Sequence, residues 1–495
     1  LEEEISAPEW DHVSSQIPGV NNLQVCGFVD FGVPTAPPKS PAPIPPELLA
    51  EFPELGDFVN PPRDSAAIVQ SVLAHQDRRV YSPAPGGADA ETATKKLLGA
   101  YSWRCPYDCD WILSESSLRQ KFLFAVDHLN PTAFPGYPWC KLGETNKAVV
   151  ENSLELAWQM FLIRIRICIL LGQAVASGRP VDAGILDLMR RAADIVRLMI
   201  KGEFHPLRKK ITGRWRLISM VSIIDQLIDR VLHNNLNKLE IASHRTIPSQ
   251  PGIGFDDPEL RYLSNAVFGI SDRSDLDISS YDVAGWDWTI QPHEHNWEMN
   301  LRWRLCDFTG TQQAQSLVAA AWYGRALAIA APAFMLPGNR CRAPVFILEN
   351  PGIQLSGLFN TSSSNSHIRV YAAFLAGAKW ALANGDDCLE GYLDGYDPAV
   401  AYDKQGRKLR PGGKSRNKFE FCSHNYERGK MGYICTAKFI CNALNAEKDE
   451  ENCEQFRHLL RHHPKRDLII QAVLNPPKEL SNAPPFPIAR QTGGF

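Results

Sequence analysis

The sequence has no long apolar run, no paired-cysteine motif, no internal repeat and no large excess of charge of either sign. Its most apolar stretch, Phe161 to Leu171, is about half the length that a membrane-spanning helix needs and carries Arg164 and Arg166. It is expected as a buried helix whose two arginines are exposed or paired, so no transmembrane segment is predicted. The 12 cysteines are scattered, with no CxxC pair and no small-domain spacing. With no signal-peptide pattern either, they read as reduced core thiols of an intracellular protein. Cys453, His458 and His462 fall on one predicted helix, but their spacing matches no zinc module. A formal net charge of −3 excludes a protein that coats nucleic acid through a global basic field. It leaves room for an enzyme with a local basic channel. The chain begins at Leu1 rather than Met, as expected of a truncated expression product or a fragment released from a longer precursor.

What is present centres on Ala383-Asn384-Gly385-Asp386-Asp387-Cys388. Apolar runs flank it, Trp380 to Leu382 before and Cys388 to Leu393 after. Asn-Gly between such runs is a strong hairpin signal, because both residues accept positive φ. Two adjacent carboxylates therefore sit at the tip of a tight hairpin. They repel each other, so a divalent cation such as Mg²⁺ is a natural partner. A Gly-Asp-Asp triplet arises by chance in roughly one chain in ten of this length, so its meaning depends on the rest of the chain.

In chain order, residues 1–60 open acidic (Glu2, Glu3, Glu4) and become proline-rich from Pro34 to Pro46, which suits extended backbone, either a tail or a strap. Helices are predicted at Ala66 to Gln76, Ala90 to Leu98, Ser116 to His128, Ala148 to Ser177, Asp182 to Ile200 and Ile223 to Leu239. Gly178 and Pro180 break the fourth from the fifth. Thr132 to Trp139 is a stiff Pro/Gly/aromatic loop whose Tyr137 or Trp139 is a candidate for stacking on bases. From Lys201 to Arg216, six Lys/Arg fall within 16 residues, interleaved with Pro, Gly and apolar groups. From Arg214 on they alternate with apolar residues, as in a strand with a basic face. This pattern suits a folded phosphate-binding groove better than a solvated tail.

Alternation from Leu276 reads as a strand ending at Asp282, with Gly285 turning into a helix near Thr289 and Asp287 at its start. Helices at about 291–306 and 311–330 and a strand from Ala343 to Leu348 follow. Gly352 to Ser366 is a Gly-centred loop running into a helix, with Thr361 and Asn365 on one helical face. Ser and Asn are poor interior helix formers, so their density there asks for a reason. Beyond the hairpin, a short helix from Pro398 leads to a second basic cluster: Lys404, Arg407, Lys408, Arg410, Lys414, Arg416 and Lys418. Phe419 to Ser423 reads as a strand, and the tail from about 430 as mostly helical, turning proline-rich near 476–488.

Joining Asp282 to Asp386 and Asp387 gives a carboxylate cluster from neighbouring strands. Two divalent ions held that way activate an attacking oxygen and stabilise a leaving one in phosphoryl transfer. Mg²⁺ suits few carboxylates plus substrate phosphates. Asp287, Ser356, Thr361 and Asn365 carry groups able to read a ribose 2′-OH.

The order and spacing of these features resemble the RNA-dependent RNA polymerases of positive-strand RNA viruses, most closely those of sobemoviruses and the related poleroviruses, over about 130–425. Asp282-x4-Asp287 resembles motif A of that family. Ser356-Gly357-x3-Thr361-x3-Asn365 resembles motif B, and Gly385-Asp386-Asp387 resembles motif C. Phe421-Cys422-Ser423 is similar to motif E, which grips the nascent strand. Lys201-x-Glu203 through Arg214-x-Arg216 is similar to motif F, and Thr132 to Pro138 to the template-loop motif G.

The resemblance implies an α+β fold, a closed right hand whose palm is an antiparallel sheet packed on helices. An N-terminal extension (1–60) would precede fingers (61–265), palm (266–309), a fingers insertion (310–350), palm again (351–425) and thumb with tail (426–495). It implies RNA-directed RNA synthesis with two Mg²⁺ on Asp282, Asp386 and Asp387, with Mn²⁺ as a substitute. Asp287 and Asn365, aided by Ser356 and Thr361, would select the ribose. Lys201, Lys209, Arg214 and Arg216 would hold the triphosphate. Gly136, Tyr137, Pro138, Gly357, Cys422 and Ser423 would line the RNA path. The family's general acid is a lysine after the palm helix, for which Lys404 and Lys408 both qualify. Implied partners are template and product RNA, NTPs, a genome-linked primer protein and other viral replication proteins. The implied location is the host cytoplasm, in membrane-associated replication complexes. The competing readings are a reverse transcriptase, disfavoured by the ribonucleotide-sensor pattern, and an inactive RNA-binding scaffold, disfavoured because every carboxylate is present.

Overall fold

The computed structural model describes residues 15–16, 23–30, 42–179, 182–335, 342–348, 352–410 and 412–474. The acidic start at Glu2 to Glu4, most of the Pro34–Pro46 run, Pro180 and the proline-rich tail near 476–488 lie outside the described residues.

The hairpin forms as expected and organises a four-stranded antiparallel sheet. Its strands run in the order Trp380–Asn384, Asp387–Gly391, Ile278–Ser280, Gly413–Ser415. Successive side chains point to opposite faces. Thus Ala381, Ala383 and Cys388 pack with Val370 and Ala373 of the helix Thr361–Leu375. Leu382, Leu389 and Ile278 pack with Leu260, Leu263 and Val267 of the helix Asp257–Ser274. Small residues on the first face let that serine- and asparagine-rich helix lie close to the hairpin.

A six-stranded sheet forms the second region, in the order Ser15–Gln16, Leu23–Asp30, Arg342–Leu348, Ala333–Met335, Val196–Ile200, Leu217–Met220. Here one expectation fails. The helix predicted from Asp182 to Ile200 ends at Arg191, and Val196–Ile200 is a strand. Two forces stop the helix. Arg164 donates to the Ala193 carbonyl at 3.0 Å and pairs with Asp194 at 2.6 Å. The β-branched, apolar run then buries Val196, Leu198 and Ile200 against Trp215, Phe334 and Phe346. Arg164 is thus the buried, paired arginine of its apolar helix, Asn146–Ala176. That helix packs along Gln312–Ala330 so tightly that a Cβ on Gly172 would stand 2.0 Å from the Ala320 carbonyl oxygen.

The described parts of the N-terminal segment are ordered against the body of the molecule, as a strap would be. Its strand Leu23–Asp30 joins the six-stranded sheet through Arg342–Leu348. Further on, Leu48, Phe52 and Leu55 enter a separate core built by the C-terminal helices, with Ile440, Phe456, Leu460 and Ile469. Phe204, in the basic stretch, enters the same core. The ion pair Lys465–Glu51 (3.2 Å) adds to this core's link with the N-terminal segment, and Lys438–Glu203 (2.8 Å) to its link with the basic stretch. Residues 48–55 and the C-terminal helices therefore share one core. The expected shared helix of Cys453, His458 and His462 does not form: Glu450–Leu459 holds the first two, and His462 pairs with Asp257. Among the described residues no helix is long and apolar enough to cross a membrane.

Candidate active site

The turn of the hairpin is Gly385-Asp386, with Asn384 opposite Asp387 in the ladder. This corrects the expected Asn-Gly centre: only Gly385 has positive φ, at +64°. A turn with positive φ at its first central residue matches strand twist just as well. The Gly385 amide donates to Ser366 Oγ at 2.8 Å, and Ser362 Oγ donates to Asn384 Oδ1 at 3.2 Å. The helix Thr361–Leu375 thus aims the carboxylates. That is one reason for its serines, and Ser366 went unnoticed in the sequence.

Asp387's strand pairs with Ile278–Ser280, which brings Asp282 beside the hairpin tip. Asp282, Asp387, Lys414, Lys418, Glu420 and Cys422 line one cavity of about 540 Å³. Asp387 opens onto this cavity but is ringed by protein. Burial, with Asp386 and Asp282 nearby, pushes its carboxyl up to about 7. Burial and Asp386 likewise raise Asp282, although Arg410 opposes them. Arg410 forms an ion pair with the Asp282 carboxylate.

Asp287 lies in the one-turn helix Trp286–Trp288, and the long helix starts only at Pro292, later than expected. Burial and then Asp386 raise Asp287 to about 7. Asn365 Nδ2 donates to Asp287 Oδ1 at 3.2 Å, while Trp286 Nε1 donates to Asn365 Oδ1 at 2.9 Å. The amide is therefore fixed in orientation by two partners. Ser356 and Thr361 do something else. Ser356 Oγ accepts from the Ser219 amide at 3.0 Å, and Thr361 Oγ1 donates to the carbonyls of Leu355 (2.8 Å) and Leu358 (2.9 Å). They shape the loop. Gly357 has a packing reason as well: a Cβ there would stand 2.1 Å from the Ser219 carbonyl oxygen.

Beneath this helix lies a fully buried polar network. His367 contacts Glu240 at 2.5 Å and Glu298 at 3.1 Å. Arg302 meets Glu298 at 2.5 Å, Asn237 at 2.7 Å and Ser363 at 2.9 Å. Burial alone would push Glu298 up, but Arg302 and His367 hold it at about 2. Nearby, Arg369 pairs with Glu390 at 2.5 Å and donates to the Tyr281 carbonyl at 3.1 Å, fixing the strand end that carries Asp282.

In the basic stretch, Lys201 (3.3 Å) and Arg216 (3.1 Å) both pair with Glu203. Lys209 and Arg214 are buried. Burial, then Arg410, Arg214 and Arg208, lower Lys209 to about 7. In the template-loop segment, Gly136 has φ +76° and packs on Ser222, and Pro138 leads into the one-turn helix Trp139–Lys141. Tyr137 is buried, and Trp139 donates its indole N–H to Asp194 at 3.2 Å. The expectation that one of these rings stacks on bases is therefore corrected: both are core residues. Cys422 and Ser423 form the positive-φ turn after the strand Lys418–Phe421.

The second basic cluster disperses. Arg407 is buried against Glu294, and Arg416 pairs with Asp275 and Asp277. Lys404 and Lys408 are exposed, and neither lines the cavity of Asp282 and Asp387; Lys414 does, with its Nζ on the Tyr396 carbonyl at 3.0 Å. Lys414 sits on Gly413–Ser415, paired with the strand before Asp282, a register that composition alone does not reveal.

Among the described residues no three His, Cys, Asp or Glu side chains stand close enough together to hold a metal ion. The donor set nevertheless fits a hard divalent cation. Asp282 and Asp387 are all-oxygen donors raised by burial and then by the Asp386 charge, and Asp282 already carries a cation, Arg410.

Solved structures share this architecture. The sicinivirus RNA-dependent RNA polymerase superposes with a TM-score of 0.60 at 13% identity, covering 90% of this chain and 94% of that one. The human picobirnavirus RNA-dependent RNA polymerase gives 0.56 at 12%, covering 88% and 80%. The fold is thus the right hand of viral RNA-dependent RNA polymerases. In sequence, the family model for viral RNA-directed RNA polymerase matches residues 187–275 and 346–437. The RNA-directed RNA polymerase of mushroom bacilliform virus is 33% identical over 68% of this chain and 80% of its own length. The replicase polyproteins P2AB of Southern bean mosaic virus (32% over 75% of this chain) and cocksfoot mottle virus (29% over 82%) are similar too. This chain spans 38% and 42% of those two polyproteins. The chain belongs to the viral RNA-directed RNA polymerase family.

Proposed function

We propose that this chain is an RNA-directed RNA polymerase that replicates a viral genome by joining NTPs to a growing RNA strand. The observation that carries the reading is the convergence of Asp282 and the Asp386-Asp387 turn from adjacent strands of one sheet. Asp282, Asp386 and Asp387 would hold two Mg²⁺ ions, or Mn²⁺ in their place. When bound, such ions activate the attacking 3′-oxygen and offset charge on the leaving pyrophosphate.

The remaining work belongs to the chain's own side chains. Lys209, Arg214 and Arg216 bind the triphosphate, with Lys201 beside them; Glu203 holds Lys201 and Arg216 in place. Asn365, locked by Trp286 and Asp287, presents its amide to the ribose 2′-OH. Ser356 and Thr361 support that reading through the loop. Lys414 replaces Lys404 and Lys408 as the lysine that protonates the pyrophosphate, because it alone of the three lines the cavity with Asp282 and Asp387. Pro138, Gly357, Cys422 and Ser423 are assigned to the RNA path, and Gly136, buried against Ser222, shapes the loop beside it. Template and product RNA, a genome-linked primer protein and other replication proteins are the proposed partners, in membrane-associated complexes of the host cytoplasm. The similarity to parts of polyproteins suits such company.

The test is primer extension on an RNA template with Mg²⁺ and NTPs. Wild type extends the primer; Asp386→Asn loses on the order of 10³-fold or more in rate, since a metal ligand contributes several kcal/mol to the transition state. Equal extension by the variant removes the assigned site.

A further inference from the structure

Arg410 has no role in the reaction as described, yet it touches the residue on which that reaction depends. Its backbone is anchored: the Arg410 amide donates to the Asp282 carbonyl at 2.8 Å, and the Ala284 amide donates to the Lys408 carbonyl at 2.9 Å. Val283 and Leu409 form the bridge between these bonds. Antiparallel register places Asp282 and Arg410 on one face, and the guanidinium closes onto the carboxylate. With the backbone fixed, only the arginine side chain has to move for Asp282 to be freed.

The surroundings say what drives that movement. The pair is open, with 26% of the Arg410 side chain and 53% of the Asp282 side chain exposed. Exposed pairs of this kind are weak. Lys209 and Arg214 lie within charge range of Arg410, and Arg208 within charge range of Lys209, Arg214 and Asp282. Among the described residues none of these three has a carboxylate partner, whereas Lys201, Arg216 and Lys438 share Glu203. These neighbours offer Arg410 no anion, and among the described residues its carboxylate partner is Asp282. A divalent cation at Asp282 would compete with Arg410 for the same carboxylate.

We propose that Arg410 is the resident counter-ion of Asp282, a positioning residue that holds the carboxylate in the metal-free site and gives way when a divalent cation arrives. The proposal rests on the assignment of Asp282, Asp386 and Asp387 as metal ligands. It concerns metal loading rather than chemistry, so it is read without catalysis.

The experiment is Mn²⁺ binding to the nucleotide-free full chain, followed through the electron spin resonance of free Mn²⁺. Arg410→Gln is expected to bind Mn²⁺ about fivefold more tightly than wild type, as competition from one exposed ion pair is removed. Arg410→Lys, which keeps the charge, restores affinity toward wild type. In an Asp282→Asn background, Arg410→Gln changes nothing further. A purely structural arginine would give the opposite sign or no change, so unchanged or weakened Mn²⁺ binding by Arg410→Gln overturns the proposal. Asp386→Asn separates the two claims. If it weakens Mn²⁺ binding while Arg410→Gln is silent, the role of Arg410 alone falls. If it leaves binding intact, the metal-site assignment fails and the proposal falls with it.

Discussion

The two sides of the helix Thr361–Leu375 differ in how their charges are satisfied. Below it, Glu240, His367, Glu298, Arg302, Ser363 and Asn237 are buried and hydrogen-bonded to one another. Above it, Asp282 and Asp387 open onto a cavity and Asp386 is exposed at the turn; they repel one another, and among the described residues their one ion-pair partner is Arg410. The difference follows from what each side has to do. Charges below it must keep the helix, and with it Ser366 and Asn365, in one place. Those above it must exchange partners with each cycle of metal and nucleotide. Deep burial makes exchange costly, and exposure makes it cheap.

That contrast is open to attack by substitution. The largest effect on stability should come from below: Arg302→Met removes the guanidinium from Glu298, leaving His367 as its one charged partner among the described residues, and costs about 3–5 kcal/mol, read as a lower melting temperature. If it melts like wild type, the network does not brace the helix. Next, Asn365→Ala should narrow the preference for rNTP over dNTP by about tenfold, since the hydrogen bonds of one buried amide are worth roughly 1–3 kcal/mol. Unchanged discrimination would take Asn365 out of ribose selection. Arg216→Ala, on the rim, should raise KM for NTP by about tenfold with little change in melting, as expected of a charge-assisted contact. A variant weakened only in template binding would move Arg216 to the RNA path.

The smallest effect is in pH. Asp287 and Asp387 are raised from 3.8 to about 7, so the folded, metal-free protein holds more protons than the unfolded chain between those values. These two groups therefore cost stability as pH rises from about 4 to about 7. A bound cation stabilises their ionised forms and offsets that cost. The Mg²⁺-induced rise in melting temperature should be larger at about pH 8 than at about pH 6. An equal or reversed difference would mean that these carboxyls are not coupled to the metal.

Sequence reasoning reached the parts of this molecule that are local. The Gly-Asp-Asp hairpin, the strand before Asp282, and the Thr361–Asn365 face declare themselves in spacings of two to five residues, and the structure forms them. The strand Val196–Ile200 is not legible locally because a short apolar run fits a buried helix and a buried strand equally. Its partners, Leu217–Met220 and Ala333–Met335, lie far along the chain. Tyr137 and Trp139 were misread because an aromatic ring in a loop looks available until its neighbours are known. The second basic cluster was seen, but not its sorting. Arg407 goes to the core, Arg410 to Asp282 and Lys414 to the cavity by sheet register, and register is set by long-range pairing. Local sequence leaves tail and strap equally open for the N-terminal segment for the same reason: the partners of 23–30 are at 342–348, and those of 48–55 are mostly beyond 436.

The central claim is that Asp386 and its neighbours are exchangeable rim carboxylates serving RNA synthesis, not bracing for the fold. Primer extension on an RNA template by Asp386→Asn, at a protein concentration matched for folded fraction by its melting curve, tests this most directly. The account predicts a variant that melts within a few degrees of wild type and extends the primer on the order of 10³-fold more slowly. A variant that melts like wild type and extends the primer as fast would contradict it.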